Sequence, residues 1–329
     1  MKNVSSKLAR FFVESYICIA KYATLKMVTD KIPSLLRSMR LRTLPLSLSG
    51  VVLGFMLASN EHQVPWYVIL LTLLTTVCLQ ILSNLSNELG DYLQGTDGEG
   101  RVGPSYSLSS GLLTVKDFRI CILLFVGACC LFGLLMTWTS FGTLFALQPI
   151  LILALGACAI WAAMHYTLGK RPYGYRGLGD LFVFIFFGLV PVIGGYYVAV
   201  HTFPPLTVWL PAVAIGCFSV GVLNVNNIRD MQSDAGTRVT LPLLMGERRA
   251  KCYHTFLIVT GWLAMIAFAL LNRLPLVVWL FLLTLPLYIL HLCGIWKHSG
   301  KTLDPLLPML VMSTFALSLL TGIGWLLAS

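Results

Sequence analysis

The chain has 329 residues, 57% of them hydrophobic and only 11% charged, with 23 Lys and Arg against 13 Asp and Glu and a formal net charge of +10. Together with a mean hydropathy of +0.83, this excludes an ordinary soluble domain and predicts an all-α, polytopic membrane protein. The excess of positive charge then reads as a topology signal, with no nucleic-acid partner implied.

Taken in chain order, residues 1-39 are an N-terminal extension. Its apolar stretch from Phe11 to Ala23 is interrupted by Glu14 and Lys21 and lacks a convincing cleavage site, so it reads as an interfacial amphipathic helix or a dispensable extension. Its lysines and arginines suit anionic lipid head groups. Residues 40-329 then carry apolar runs predicted at 43-59, 66-86, 118-138, 143-163, 178-199, 204-225, 253-271, 275-296 and 307-327. Each is near the ~17–25 residues with which a helix crosses a bilayer. Unpaired backbone groups are costly in lipid, and unbroken apolar runs without strict alternation select helices over a barrel. The prediction is therefore nine transmembrane helices.

The loops between these runs fall into two sets. The set with the N-terminal segment, 87-119, 164-178, 226-252 and 297-304 holds every Lys and Arg except Arg273. Such a split predicts that the N-terminus and the long polar loops are cytoplasmic and the C-terminus is outside. Arg248, Arg249 and Lys251 read as plain topology residues. The cysteines lie mostly within apolar runs without paired spacing and read as small hydrophobes. Trp66, Tyr67 and Trp296 near run ends read as an aromatic belt, and His165 as a packed or interfacial residue.

Two of the long loops begin alike. The second run ends in Asn84-Leu-Ser-Asn87-Glu88-Leu-Gly-Asp91, followed by Asp97, and the sixth ends in Asn224-Val-Asn226-Asn227-Ile-Arg229-Asp230, followed by Asp234. Asn84, Asn87, Glu88 and Asp91 recur at helical spacing, and Asn227, Asp230 and Asp234 repeat the phase, so each stripe presents amides and carboxylates on one face. Magnesium takes hard oxygen ligands, usually one or two carboxylates completed by substrate phosphate and water. Two facing stripes therefore predict magnesium, two ions bridging a diphosphate, with Asn87, Glu88, Asp91, Asp97, Asn227, Asp230 and Asp234 as metal ligands. A single stripe would also serve as a solvated helix end; two of equal phase at membrane depth need a task, because charge there is costly.

Between them lies Tyr166-Thr-Leu-Gly-Lys170-Arg171-Pro-Tyr173-Gly-Tyr175-Arg176-Gly-Leu-Gly-Asp180. Lys170 and Arg171 are candidates for neutralising phosphate oxygens, Arg with a bidentate fork. Arg42, Arg101, Tyr106, Tyr166, Tyr173 and Arg238 complete the substrate-binding candidates. Asp91, Asp230, Lys170 and Arg171 are the catalytic ones.

From Arg40 onward the chain resembles the UbiA-type intramembrane aromatic prenyltransferases, in particular the branch that acts on 1,4-dihydroxy-2-naphthoate. The resemblance is carried by Arg42-Thr-Leu-Pro45, Asn87-Glu88-Leu-Gly-Asp91 to Asp97, Arg101-Val-Gly-Pro104, Gly169 to Asp180, and Asn226-Asn227-Ile-Arg229-Asp230 to Asp234. Glu88 departs from the family's usual Asp, and Arg238 stands where a Lys is common. The resemblance implies Mg-dependent transfer of a polyprenyl group from polyprenyl diphosphate to dihydroxynaphthoate with decarboxylation, giving demethylmenaquinone in menaquinone biosynthesis at the bacterial inner membrane. Alternatives are a related prenyltransferase acting on another acceptor such as 4-hydroxybenzoate, or, more remotely, a cation-coupled transporter. Transporters, however, place such carboxylates near the bilayer midplane on broken helices.

Overall fold

The structure is a computed structural model and describes residues 31–59, 63–96, 107–108 and 111–328. Among these residues it has nine helices long and apolar enough to cross a membrane and no strand beyond a single parallel bridge, Arg176 to Val239. The spans are Lys31–Ala58, whose last and longest helix is α1 (Leu44–Ala58), then α2 (Trp66–Leu93), α3 (Val115–Phe141), α4 (Leu147–His165), α5 (Gly179–Val200), α6 (Leu206–Arg229), α7 (Glu247–Leu271), α8 (Leu276–Lys297) and α9 (Gly300–Leu327). All nine predicted runs are helices, as the internal satisfaction of backbone groups in lipid requires. A short helix over 31–38 precedes α1, and Arg40, at φ 49, breaks the two apart in the left-handed region. Lys31 pairs with Asp117 at 2.8 Å, docking that helix on the start of α3, where Thr114 and Asp117 form a reciprocal capping box.

The helices pack mainly as neighbours: α1 against α5 and α9, α2 against α3 and α4, α6 against α5 and α7, and α8 against α9. Close approach of α5 and α6 depends on paired glycines, since a Cβ on Gly188 would land on the backbone of Gly216. The core is built from residues such as Leu53, Tyr196, Phe218, Phe268 and Phe281, all nearly inaccessible. Large apolar side chains on the periphery, including Leu123, Leu124, Leu151 and Leu287, stay exposed, as an outer face solvated by lipid demands.

One boundary differs from the sequence expectation in a way that matters. α2 runs seven residues beyond the predicted end at 86, to Leu93, so the first acidic stripe sits within the helix. Tertiary partners hold it there. Asn84 donates through its side-chain amide to the Met39 carbonyl at 2.9 Å, and Thr167 donates to the Ser86 carbonyl at 2.9 Å. The polar ends of α2, α4 and α6 thereby meet on one face of the bundle. A π-helical segment, Phe184–Leu189, interrupts α5 at the wall of the cavity described next; such segments recur at functional sites.

Candidate active site

A cavity of about 390 Å³ lies inside the bundle between α1, α2, α3, α4, α5, α6 and α9. Along α2, Thr72, Thr76, Ser83, Asn87 and Asp91 line it, a stripe at intervals of four and seven residues that keeps to one helix face. From Thr72 to Asp91 that stripe rises roughly 28 Å at 1.5 Å per residue, close to the thickness of the hydrocarbon core. On α6, Ser219, Val222, Leu223, Asn226 and Asn227 face the same space. The deep part is walled mainly by apolar residues such as Met136, Ile152, Val190 and Val198; the charged groups gather at the motif end.

That mouth carries the charge. Asp91, Asn87, Asn227, Arg42, Arg40 and Arg238 all line it, with Tyr166 and Tyr173. The Tyr175 hydroxyl donates to Asp91 Oδ1 at 2.7 Å, and the Asp91 carbonyl accepts from the Thr96 hydroxyl and amide. Arg238 donates through one terminal nitrogen to Asp234 Oδ1 at 2.6 Å, and its other lies 3.9 Å from Asp91 Oδ1. Its guanidinium sits over the Tyr175 ring, 5.9 Å from the centroid. The two acidic motifs, far apart in sequence, thus meet through one cation. Backbone bonds zip the loop after the second motif to the one between Tyr166 and Asp180: the Val239 amide donates to the Tyr175 carbonyl at 3.1 Å, and the Gly177 amide to the Val239 carbonyl at 3.0 Å.

The electrostatics follow from burial. Loss of water raises the Asp234 carboxyl above the ordinary carboxylate range, against the opposing pull of Arg238. Burial alone would lower Arg238, but Asp91 and Asp234 outweigh it and hold its guanidinium protonated. Burial also pushes the Tyr166 phenol up to about 12 and raises Tyr173 and Tyr175, so all three remain neutral hydrogen-bonding groups. Two atoms in this cluster are buried without a partner: Asp234 Oδ2, an acceptor, and Arg238 Nε, a donor. A buried unpaired acceptor fits a cation, and a buried unpaired donor fits an anionic oxygen. Among the described residues no three acidic, histidine or cysteine side chains cluster as a self-sufficient metal site. The donor set here mixes amide and carboxylate oxygens, which suits a hard cation that completes its shell from a phosphate ligand.

The remaining predicted residues fall in several places. Asp97, Arg101 and Tyr106 lie outside the described residues. Glu88 is fully buried but does not line the cavity; its Oε1 accepts from the Ser107 amide at 2.8 Å and the Leu108 amide at 3.4 Å. The reason is helical phase: one residue past Asn87 is a 100° rotation, enough to turn Glu88 off the face shared by Asn87 and Asp91. Asp230 lies beside the mouth with both oxygens taken by its neighbour, Oδ1 from Arg229 Nε at 2.8 Å and Oδ2 from a terminal nitrogen at 2.6 Å. Arg229 also reaches Asp304 at 2.7 Å and the Asn226 amide oxygen at 2.8 Å. Lys170 and Arg171 are exposed and absent from the cavity wall; Lys170 borders a shallow depression with Gln94 and Gly90.

Other contributors escape sequence reasoning. Tyr175 stands in the aromatic, glycine-rich loop, but spacing alone does not distinguish it from Tyr173. Arg40, whose backbone is in the left-handed region, lines the cavity as well. Gln80 anchors the wall by donating to Thr43 at 2.9 Å and accepting from Ser47 at 2.6 Å. Its place on the stripe one turn before Asn84 was the available signal.

Comparison with known proteins accords with this geometry. The model of the UbiA prenyltransferase family matches residues 47–314. The chain is 36% identical over 291 residues to the 1,4-dihydroxy-2-naphthoate octaprenyltransferase of Escherichia coli, covering 88% of this chain and 94% of the relative. It is 34% identical over 306 residues to the enzyme of the same description from Haemophilus influenzae, covering 92% and 98%. Its fold is similar to that of a UbiA homologue from Archaeoglobus fulgidus bound to GPP and Mg2+, with a TM-score of 0.60 at 14% identity over 88% of this chain and 99% of that one. The chain, with its lipid-embedded cavity and paired acidic mouth, belongs to the UbiA prenyltransferase family.

Proposed function

We propose that the protein transfers a polyprenyl group from polyprenyl diphosphate to 1,4-dihydroxy-2-naphthoate with loss of carbon dioxide, the prenylation step of menaquinone biosynthesis. The observation that carries this is the mouth itself: Asp91, Asn87, Asn227 and Arg238, with Asp234 paired to Arg238, converge over a largely apolar cavity whose lining on α2 runs from Asp91 back to Thr72. A charged head group and a long hydrocarbon tail, joined in one substrate, fit that division. The acceptor is drawn from the relatives in Escherichia coli and Haemophilus influenzae, which are described as naphthoate octaprenyltransferases. The same bacterial relatives, with the uneven cations, support a multi-pass protein of the inner membrane with the mouth and N-terminus cytoplasmic.

Asn87, Asp91, Asn227 and Asp234 would hold magnesium, one ion for each motif. Magnesium, when bound with the diphosphate, supplies positive charge that stabilises the leaving anion. Arg238 adds a fixed cation, and its unpaired Nε is free to donate to a phosphate oxygen. Arg40 and Arg42 give the mouth further positive charge. As the allylic carbon–oxygen bond breaks, its electron pair leaves with the diphosphate, and these preorganised groups favour that state over the substrate. The electron-rich ring carbon bearing the carboxylate forms the new carbon–carbon bond to the allylic carbon. The carboxylate departs as carbon dioxide, returns its electron pair to the ring, and leaves the prenylated naphthoquinol. Phe182 and Tyr173, stacked with centroids 3.9 Å apart on the cavity wall, present aromatic surface to the developing allylic cation and exclude water.

The test is direct. Purified protein receives octaprenyl diphosphate, magnesium and either dihydroxynaphthoate or 4-hydroxybenzoate. Prenylated naphthoquinol that disappears on chelation is the expected product; prenylation of 4-hydroxybenzoate alone would overturn the acceptor assignment.

A further inference from the structure

Most glycines in the spans serve packing. A Cβ on Gly50, Gly54, Gly188 or Gly216 would strike an adjoining helix. Gly156 on α4 and Gly194 on α5 differ: both line the cavity, and an added Cβ at either meets no atom within 4 Å. Neither has a positive φ that would require glycine, and glycine inside a helix costs stability relative to alanine. Neither backbone geometry nor helix contact therefore accounts for the missing side chain. What it leaves is open space in the channel. The two positions lie at different depths. Gly156 stands nine residues from the mouth end of α4 at His165, roughly 14 Å along the helix. Gly194 stands fifteen residues from the mouth end of α5 at Gly179, roughly 22 Å along it.

Resting on the donor assignment above, we propose that Gly156 and Gly194 keep the deep half of the cavity open for the distal isoprene units, so that side-chain volume at these two positions sets the longest tail accepted. A tail descending from the diphosphate passes Gly156 first and Gly194 later. A bulky residue at Gly194 then rejects only long donors, and one at Gly156 rejects shorter donors as well. The head-group machinery lies outside the perturbed region, so the shortest donors report on it unchanged.

The experiment compares wild type, Gly156→Leu and Gly194→Leu in kcat/KM with dimethylallyl, geranyl, farnesyl and octaprenyl diphosphates, with dihydroxynaphthoate as acceptor. For Gly194→Leu we expect dimethylallyl and geranyl transfer near the wild-type rate and octaprenyl transfer down by about tenfold or more. For Gly156→Leu the loss sets in at a shorter tail. Equal loss across all donors, or no loss with octaprenyl diphosphate, overturns the proposal while leaving the proposed function intact. A wild-type protein that prenylates with none of the donors overturns the donor assignment itself. Should leucine at either site prevent folding, judged by thermal unfolding, Gly194→Val and Gly156→Val are scored by the same tail-length ratio and decide the matter in the same way.

Discussion

Arg238 offers the sharpest perturbation, because it holds the two acidic motifs together and has a donor to spare. In Arg238→Gln the side-chain bond to Asp234 at 2.6 Å and the 3.9 Å approach to Asp91 are lost. Removing one partner of a buried pair costs about 3–5 kcal/mol in the extreme. Here the cost is nearer about 2 kcal/mol, since Asp91 keeps its bond from Tyr175 and the acids relax toward the mouth. The catalytic loss has a different origin. One preorganised donor at a developing oxyanion is worth about 100- to 1,000-fold in kcat. The two effects separate experimentally: magnesium with an unreactive diphosphate analogue restores the lost thermal stability, whereas kcat stays low. Arg238→Lys falls between, retaining charge without the fork. Thermal unfolding with and without magnesium and analogue, alongside steady-state kinetics, reads both. Wild-type kcat in Arg238→Gln would refute the leaving-group role, and unchanged unfolding in the metal-free state would refute the ion pairs.

Three further outcomes follow from placement. Glu88→Gln keeps an acceptor for the Ser107 and Leu108 amides and leaves the magnesium dependence of kcat unchanged, while Glu88→Ala strands both amides and lowers stability by about 1–3 kcal/mol in thermal or denaturant unfolding. A shifted magnesium optimum in Glu88→Gln would restore the ligand role that its spacing suggests. Lys170→Ala and Arg171→Ala, both exposed, change kcat/KM by less than about fivefold, as surface substitutions generally do; larger losses would place them over the bound diphosphate. Tyr175→Phe removes a bond to a carboxylate and lowers kcat by roughly tenfold with the fold preserved by circular dichroism.

The membrane architecture was legible because lipid leaves few choices: a long apolar run must be a helix, and all nine runs are. The acidic mouth was legible because Asn87 and Asp91, like Asn227 and Asp234, stand where few polar groups would otherwise be tolerated. What spacing could not supply was orientation within a turn. Glu88 belongs to the motif in sequence but to the loop anchor in space, and Asp230 shares its stripe yet is taken by Arg229. Nor could it show which loop cation enters the mouth. Arg238 and Arg40 do so, whereas Lys170 and Arg171 project from an exposed loop. Tertiary contacts decide such matters, and a run of cations carries no mark of which one they will select.

The central claim is that the two motifs act as one device. It is tested most directly by a double-mutant cycle in kcat/KM with Asp91→Ala and Asp234→Ala, at saturating dihydroxynaphthoate and magnesium. Groups that grip a single diphosphate lose nearly everything when either is removed, so each single variant should fall almost as far as the double. Two modest losses that simply multiply in the double variant would mean that the motifs serve separate tasks, and would contradict the account.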